Sequence, residues 1–284
     1  MLNVLKIICW DVQHGNAMFI QTAESHNIIF DLGKGSYSSR NERFSPITHM
    51  IKKYKLKKVD LLIITHPHKD HIEDILSLKG MTIDQVILPN HLYKKDYLTD
   101  RIRSVDKPIF NEYNRLSKDA GAIENIKLGE VSFDFFYPNT SSRSRLNDHS
   151  LVTIISYLKF KFILMGDNES QSQRLLLVTK RFKRLSKNCN ILLAPHHGRR
   201  DGFYLEMVEH LKPDITIVSD GIPKHTSVRE KYARFSTGIE VRSKNGPRRK
   251  RRVLSTNRDG VIKIEAGIYK SEPSLKITTK SVSI

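Results

Sequence analysis

The chain has 284 residues, 39% of them hydrophobic and 27% charged, which is enough apolar material for a sizeable core in a globular protein. Lys and Arg (48) outnumber Asp and Glu (30), giving a formal net charge of +18. That excess disfavours an enzyme of small neutral metabolites and favours a polyanionic partner such as DNA, RNA or an anionic membrane surface.

Residues 4–12 and 26–31 read as strands rich in Val and Ile, and between them a Gly-containing turn precedes a third strand. The stretch 36–45 is a polar loop, and Pro46 opens a helix at its first position. Residues 59–65 are almost continuously apolar and end in polar residues, the pattern of a strand buried on both faces. A helix over 71–78 and a strand over 82–89 follow, then charged helices and loops to 120. Residues 131–138 alternate like a half-buried strand, and 140–147 form a loop. A hairpin spans 150–167, and a basic helix covers 169–186. Strands at 190–195 and 214–220 flank a short helix near 203–211, and a further helix covers 228–236. The segment 253–266 reads as two strands about the turn Asp259-Gly260.

No internal repeat and no long linker divides the chain, so residues 1–284 are expected to form a single domain with a basic loop near 243–252. Strands followed by helices, twice over, fit an α/β fold built as a four-layer αββα sandwich. The longest apolar stretch, 151–165, is broken by Lys159 and Lys161 and falls short of the ~20 residues of a membrane helix. The N-terminal apolar run is too short for a signal peptide, so a cytoplasmic location without membrane insertion is expected. Cys9 and Cys189 lie in apolar segments and read as buried thiols.

Chemistry concentrates at His66-Pro67-His68-Lys69-Asp70-His71, directly after the buried strand. Imidazole nitrogens suit zinc, iron and other transition metals, and a carboxylate adds a hard oxygen donor. His66 and His68 alternate on one side of an extended segment and can reach one metal. Asp70 and His71, past the bend, can reach a second.

This His-x-His-x-Asp-His run is the signature of the metallo-β-lactamase superfamily. The rest of the chain resembles one branch of it, the hydrolase domain of the competence DNA-uptake protein ComEC and its stand-alone relatives. CWDVQHGNAMFI resembles that branch's DVGQGDA turn, and NIIFDLGKG its second strand with Asp-x-Gly. NDHSLVTIISYLKFKFILMGDNE resembles its Asn-x-x-Ser-Leu-Val hairpin ending in Gly-Asp, and LLAPHHGRRDGF its Pro-His-His-Gly segment. DITIVSDG with KHTS resembles the segment bearing a late Gly-His-Pro, and LSTNRDGVIKI the closing strands.

The resemblance implies a two-metal site. His66 and His68 would hold metal one, Asp70 and His71 would belong to metal two, and the carboxylate of Asp167 would bridge them. His196 is favoured over His197 as the late ligand to metal two, leaving His197 to face the substrate. The third ligand to metal one is open among Asn147, Asp148 and His149, and a weak site there would favour manganese over tightly held zinc. Asn16 stands where the family has an Asp and removes a negative charge near the substrate. His225 falls at the late histidine and is expected to contact phosphate. The expected reaction is hydrolysis of phosphodiester bonds by a two-metal-activated hydroxide, with Asp70 orienting it and His197 or His225 serving the leaving oxygen.

For the substrate, nucleic acid is favoured, and DNA over RNA. The run Arg248, Arg249, Lys250, Arg251 and Arg252 is expected as a mobile loop that neutralises backbone phosphates without reading bases. Two other classes stay open: a hydrolase of small anionic substrates such as cyclic nucleotides or phosphate esters, and a non-catalytic nucleic-acid-binding module. The full ligand set argues against the second. A β-lactam substrate fits this charge least well.

Overall fold

The computed structural model describes residues 2–36, 43–122, 124–140, 145–221, 227–243 and 246–280. Two twisted sheets face each other. The larger has nine strands, in spatial order Arg248–Arg251, Ile239–Ser243, Glu272–Lys280, Val261–Tyr269, Leu2–Cys9, Ala17–Gln21, Asn27–Leu32, Lys58–Ile63 and Thr82–Ile87. The smaller has seven, in the order Val253–Ser255, Ile215–Val218, Ile191–Leu193, Phe160–Leu164, Val152–Tyr157, Val131–Phe136 and Ile126–Leu128.

The inner faces share one core. Leu5, Ile7, Ile28, Phe30 and Ile63 of the large sheet meet Phe133, Ile155, Phe162, Leu193 and Ile217 of the small one. Burying each such side chain stabilises the fold by roughly 1.5–3 kcal/mol. The outer face of the large sheet carries Ile8, Phe19, Ile29 and Leu62 beneath the helices Pro46–Tyr54 and Lys107–Lys118. The outer face of the small sheet carries Ile154, Ile163 and Leu192 beneath helices that supply Leu176, Phe182, Leu211 and Tyr232. This is the αββα sandwich. Cys9 and Cys189 are free and buried, and burial pushes both thiols up to about 12. Among the described residues no helix is long and apolar enough to cross a membrane.

The strand Lys58–Ile63 lies between two parallel neighbours, Asn27–Leu32 and Thr82–Ile87, which explains its unbroken apolar run. In the small sheet Phe160–Leu164, Ile191–Leu193, Ile215–Val218 and Val253–Ser255 are likewise parallel. Their carboxyl ends converge on one rim of the sandwich, the end of a parallel sheet where polar loops gather.

Three expectations from the sequence are corrected. The strands within 253–266 do not form a hairpin: Val253–Ser255 belongs to the small sheet, Val261–Tyr269 to the large one, and a helical turn, Thr256–Asp259, joins them. Val261–Tyr269 pairs instead with Glu272–Lys280 about Lys270-Ser271, both at positive φ (49° and 64°). The basic helix is two helices, Ser170–Val178 and Lys180–Ser186, separated at Thr179, whose ψ of 109° is extended. The basic run is not a loop, since Arg248–Arg251 is the edge strand of the large sheet, paired antiparallel to Ile239–Ser243. Lys and Arg on an edge strand also discourage sheet-to-sheet aggregation, a role independent of any ligand.

Candidate metal centre

The rim is built from strand ends held in unusual backbone conformations. Asp31, in the last turn of its strand, sits at φ 54° and is 1% exposed. A non-glycine residue holds this left-handed conformation only where surrounding bonds enforce it. Here the Asp31 carboxylate accepts hydrogen bonds from Thr65 N (2.8 Å), Thr65 Oγ1, Asn16 Nδ2 (3.0 Å) and His71 Nδ1 (2.7 Å). With Nδ1 so engaged, His71 presents Nε2 to Asp167 Oδ1 at 3.2 Å. A carboxylate that fixes the tautomer and ring angle of a histidine is a common support for a metal ligand.

The turn Pro195–Gly198 does the same from the other sheet. His196 and His197 are both left-handed, at φ 48° and 54°, and so is Gly198. Gly202 lets the turn close, because a Cβ there would lie 2.5 Å from Pro195 O. His197 Nδ1 donates to Ser219 O (2.9 Å), so its Nε2 faces inward, 3.3 Å from Asp70 Oδ2 and 3.5 Å from Asp167 Oδ2. Asp167 hangs from the end of Phe160–Leu164, with its backbone N–H donating to Ser150 Oγ. The intervening Gly166 is at φ 56°, and a Cβ there would meet Ser150 Cβ at 2.8 Å.

Asp70, His71, Asp167 and His197 therefore bring one ligand atom each within 4.8 Å of one another. His71 Nε2 and His197 Nε2 are buried without a hydrogen-bond partner. Beside them His66 Nε2 and His68 Nδ1 point at each other across 2.9 Å, and His66 Nε2 lies 3.8 Å from Asp167 Oδ2. Buried imidazole nitrogens without a hydrogen-bond partner, as at His71 Nε2 and His197 Nε2, are what a divalent cation needs.

The electrostatics agree. Burial, with the charge of His71, holds the His66 imidazole well below its ordinary value, and burial lowers His68. Both rings are then neutral donors. Burial would also lower His71 and His197, but the neighbouring carboxylates Asp167, Asp31 and Asp70 hold His71 well above its ordinary value. Asp167 and Asp70 raise His197 to about 9. In return His71 and His197 keep Asp70 and Asp167 ionised against burial.

The expected residues separate into groups. His66, His68, Asp70, His71 and Asp167 are together. His197 rather than His196 stands with the Asp70–His71–Asp167 group, whereas the sequence favoured His196 as the late ligand. Both residues of the turn are left-handed; the His197 ring is held facing inward by Ser219 O, and the His196 ring lies toward Asp201. His196 Nδ1 lies 2.9 Å from Asp201 Oδ1, and its Nε2 is 4.0 Å from Asp167 Oδ2. Glu169, His196 and Asp201 form a second group of possible ligands. Asn147 donates to Glu169 (3.0 Å). Asp148 pairs with Arg145 (3.2 Å), and His149 faces His91 across 2.9 Å. Asn16 is buried and its amide is committed to Asp31. An Asp at position 16 would set two carboxylates in that contact, so the amide suits the place. His225 lies outside the described residues. The strand Arg248–Arg251 stands six strands from Asn27–Leu32, about 29 Å at ~4.8 Å per strand.

Four contributors were not singled out in the sequence: Asp31, Thr65, His14 and Arg199. His14 Nε2 is 3.4 Å from Asp70 Oδ2 and its side chain is 48% exposed; Arg199 Nη2 stands 3.4 Å from His14 Nε2. Asp31 and His14 lie in segments that resemble the family, Asp31 as the Asp of Asp-x-Gly, but nothing in the sequence marked either for a role at the site. Asp31→Ala is expected to lower zinc affinity ~10- to 100-fold by releasing the His71 ring. Competition titration against a chromophoric chelator measures this, and an unchanged affinity would show that the carboxylate has no part in positioning His71.

Residues 10–95 match the metallo-beta-lactamase superfamily. Over 231 residues the chain is 25% identical to ComE operon protein 3 of Bacillus subtilis (strain 168), covering 74% of this chain but 28% of that protein. Over 122 residues it is 25% identical to Recombination protein 2 of Haemophilus influenzae, covering 41% of this chain and 15% of that protein. The chain thus spans less than a third of the length of either relative. Among solved structures, the metallo-beta-lactamase fold protein YhfI from Bacillus subtilis is 12% identical, covering 82% of this chain and 94% of its own, with a TM-score of 0.49. A diphosphatase from the PhnP family is 11% identical, covering 92% and 98%, with a TM-score of 0.48.

Proposed function

We propose that this chain, a metallo-β-lactamase superfamily domain of the ComEC-like branch, is a metal-dependent phosphodiesterase acting on nucleic acid, with DNA the preferred substrate. One observation carries the reading: four inward ligand atoms from Asp70, His71, Asp167 and His197 within 4.8 Å, adjoining His66 and His68, in a chain of net charge +18.

The residues fit two divalent ions. His66, His68 and Asp167 would hold the first, with His196 Nε2 as a further donor whose ring is held by Asp201. Asp70, His71, His197 and Asp167 would hold the second. Mixed nitrogen and oxygen donors suit zinc or manganese. When bound, such ions supply Lewis-acid polarisation of a phosphoryl oxygen and a water of lowered pKa. The protein does the rest. Asp31 and Ser219 O fix the tautomers of His71 and His197, so no reorganisation is required as charge develops. Asp70, reached by both His14 and His197, orients the attacking water. Arg199 and His14 at the open side bind non-bridging phosphoryl oxygens, where a guanidinium offers paired donors. Residues 1–284 are proposed to act as one domain, in the cytoplasm.

Protein purified without chelator is expected to contain close to two ions of zinc, manganese or iron per chain by elemental analysis. With metal restored, it should cleave labelled DNA. Metal content near zero that added ions cannot restore would refute the centre. Cleavage of a cyclic nucleotide with none of DNA or RNA would leave the centre standing and reassign the substrate.

A further inference from the structure

We propose that the cleft between the helix Arg229–Phe235, the strand Arg248–Arg251 and the turn Thr256–Asp259 is a phosphate subsite for single-stranded DNA, separate from the metal centre and reached by the same strand. The proposal rests on the nucleic-acid reading above. The cleft holds about 330 Å³. Arg229, Lys250, Arg251, Arg252 and Arg258 line it, against the two acids Glu230 and Asp259. Asp259 is already taken by a two-point contact with Arg251, at 3.0 and 3.1 Å. Arg229, Lys250, Arg252 and Arg258 form no ion pair or side-chain hydrogen bond among the described residues.

Edge protection accounts for cations on the strand Arg248–Arg251 but not for Arg229 and Arg258. Those two come from a helix and a turn in separate parts of the chain. They are close enough that Arg258, after burial, is the largest influence weakening the hold of Arg229 on its proton. Glu230, Asp220 and Asp259 also act on Arg229, in the opposite direction to Arg258; bringing guanidinium groups together costs energy that a dianionic or polyanionic ligand recovers.

The cleft is tied to the metal rim by two connections. Arg199, beside His14, pairs with Ser227 in an isolated antiparallel bridge, and Val228 N donates to Gly198 O at 2.7 Å, so Arg229 follows directly. On the other side Asn257 Nδ2 donates to Gly221 O (3.3 Å), and Gly221 packs on the backbone of His14 so closely that a Cβ would lie 2.7 Å from His14 N. Arg258 is the next residue. Arg199 and His14 at the centre thus continue into Arg229 and Arg258, a series of cations along which a phosphate backbone can run. None of these groups reads a base edge, so binding is expected to be indifferent to sequence.

The test is the salt dependence of binding to a fluorescent single-stranded DNA oligonucleotide with phosphorothioate linkages, read by anisotropy. For Arg229→Gln with Arg258→Gln, losing two phosphate contacts should flatten the log–log salt slope by ~1.4 and weaken binding ~10-fold or more near 0.1 M salt. Arg229→Lys with Arg258→Lys should keep most of the slope, since the charge remains. Lys52→Gln with Lys53→Gln, on the exposed face of Pro46–Tyr54, should match the parent chain. An unchanged slope in the Gln pair overturns the subsite, as does equal loss in the Lys pair, which would mark a packing role. If the parent chain fails to bind the oligonucleotide while hydrolysing a small chromogenic phosphodiester, the subsite and the nucleic-acid substrate both fall and the metal centre survives.

Discussion

Asp167→Ala is expected to lower kcat/KM for phosphodiester hydrolysis by ~10³-fold or more, the scale seen when a principal electrostatic group leaves an active site. The reason is its reach. Oδ1 stands 3.2 Å from His71 Nε2, while Oδ2 stands 3.5 Å from His197 Nε2 and 3.8 Å from His66 Nε2. No other carboxylate among the described residues touches both halves of the cluster. Alanine should therefore drop metal content below one ion per chain by elemental analysis. Asp167→Asn keeps the shape and the contact of the backbone N–H with Ser150, and should retain far-UV circular dichroism while losing activity. Two bound ions with near-normal turnover in the Ala variant would remove Asp167 from the bridging role.

What could be seen in the sequence depended on how local the determining physics is. The strand Lys58–Ile63 and the ligands after it were visible because a doubly buried strand needs an unbroken apolar run and a metal needs clustered donors. The hairpin of Val261–Tyr269 and Glu272–Lys280 was hidden. Its turn uses Lys270 and Ser271 at positive φ, where Asn-Gly would have announced it, and tertiary pairing overrides the poor turn chemistry. The edge strand Arg248–Arg251 was hidden too, because four successive cations carry no alternation; pairing with Ile239–Ser243 supplies the order that composition does not. Position 16 shows a subtler limit. Asparagine there looked like a change in charge facing substrate, yet its amide serves a buried carboxylate 15 residues away.

Adjacent histidines were the least legible feature. Nothing in Pro195-His196-His197-Gly198 says which ring turns inward, since both have the same chemistry. The choice is made by two consecutive left-handed residues and by Ser219 O, which is remote in sequence. His197→Ala is accordingly expected to empty the group with Asp70 and His71, whereas His196→Ala should weaken only the side nearer His66.

Thermal unfolding with and without chelator should show a gap that widens as pH rises from 6.5 toward about 9. The His197 imidazole normally titrates near 6.5. Burial opposes its charge, but Asp167 and Asp70 outweigh burial and raise it to about 9 in the folded chain. His71 moves in the same direction under Asp167, Asp31 and Asp70, also against burial. A folded pKa above the unfolded one means that this stabilisation is complete below 6.5 and is lost as pH passes through about 9. For His197 alone it amounts to ~3 kcal/mol, or roughly 5–10 °C in the Tm of a chain this size. The chelated protein should therefore soften across this window. In the metal-loaded protein the cation takes the place of those protons, so it competes with them less as pH rises and its stabilisation grows. The two trends add, and the separation between the melting curves should increase steadily with pH. A gap that is constant, or that closes toward high pH, would mean that His71 and His197 do not exchange protons for metal and that the cation binds elsewhere.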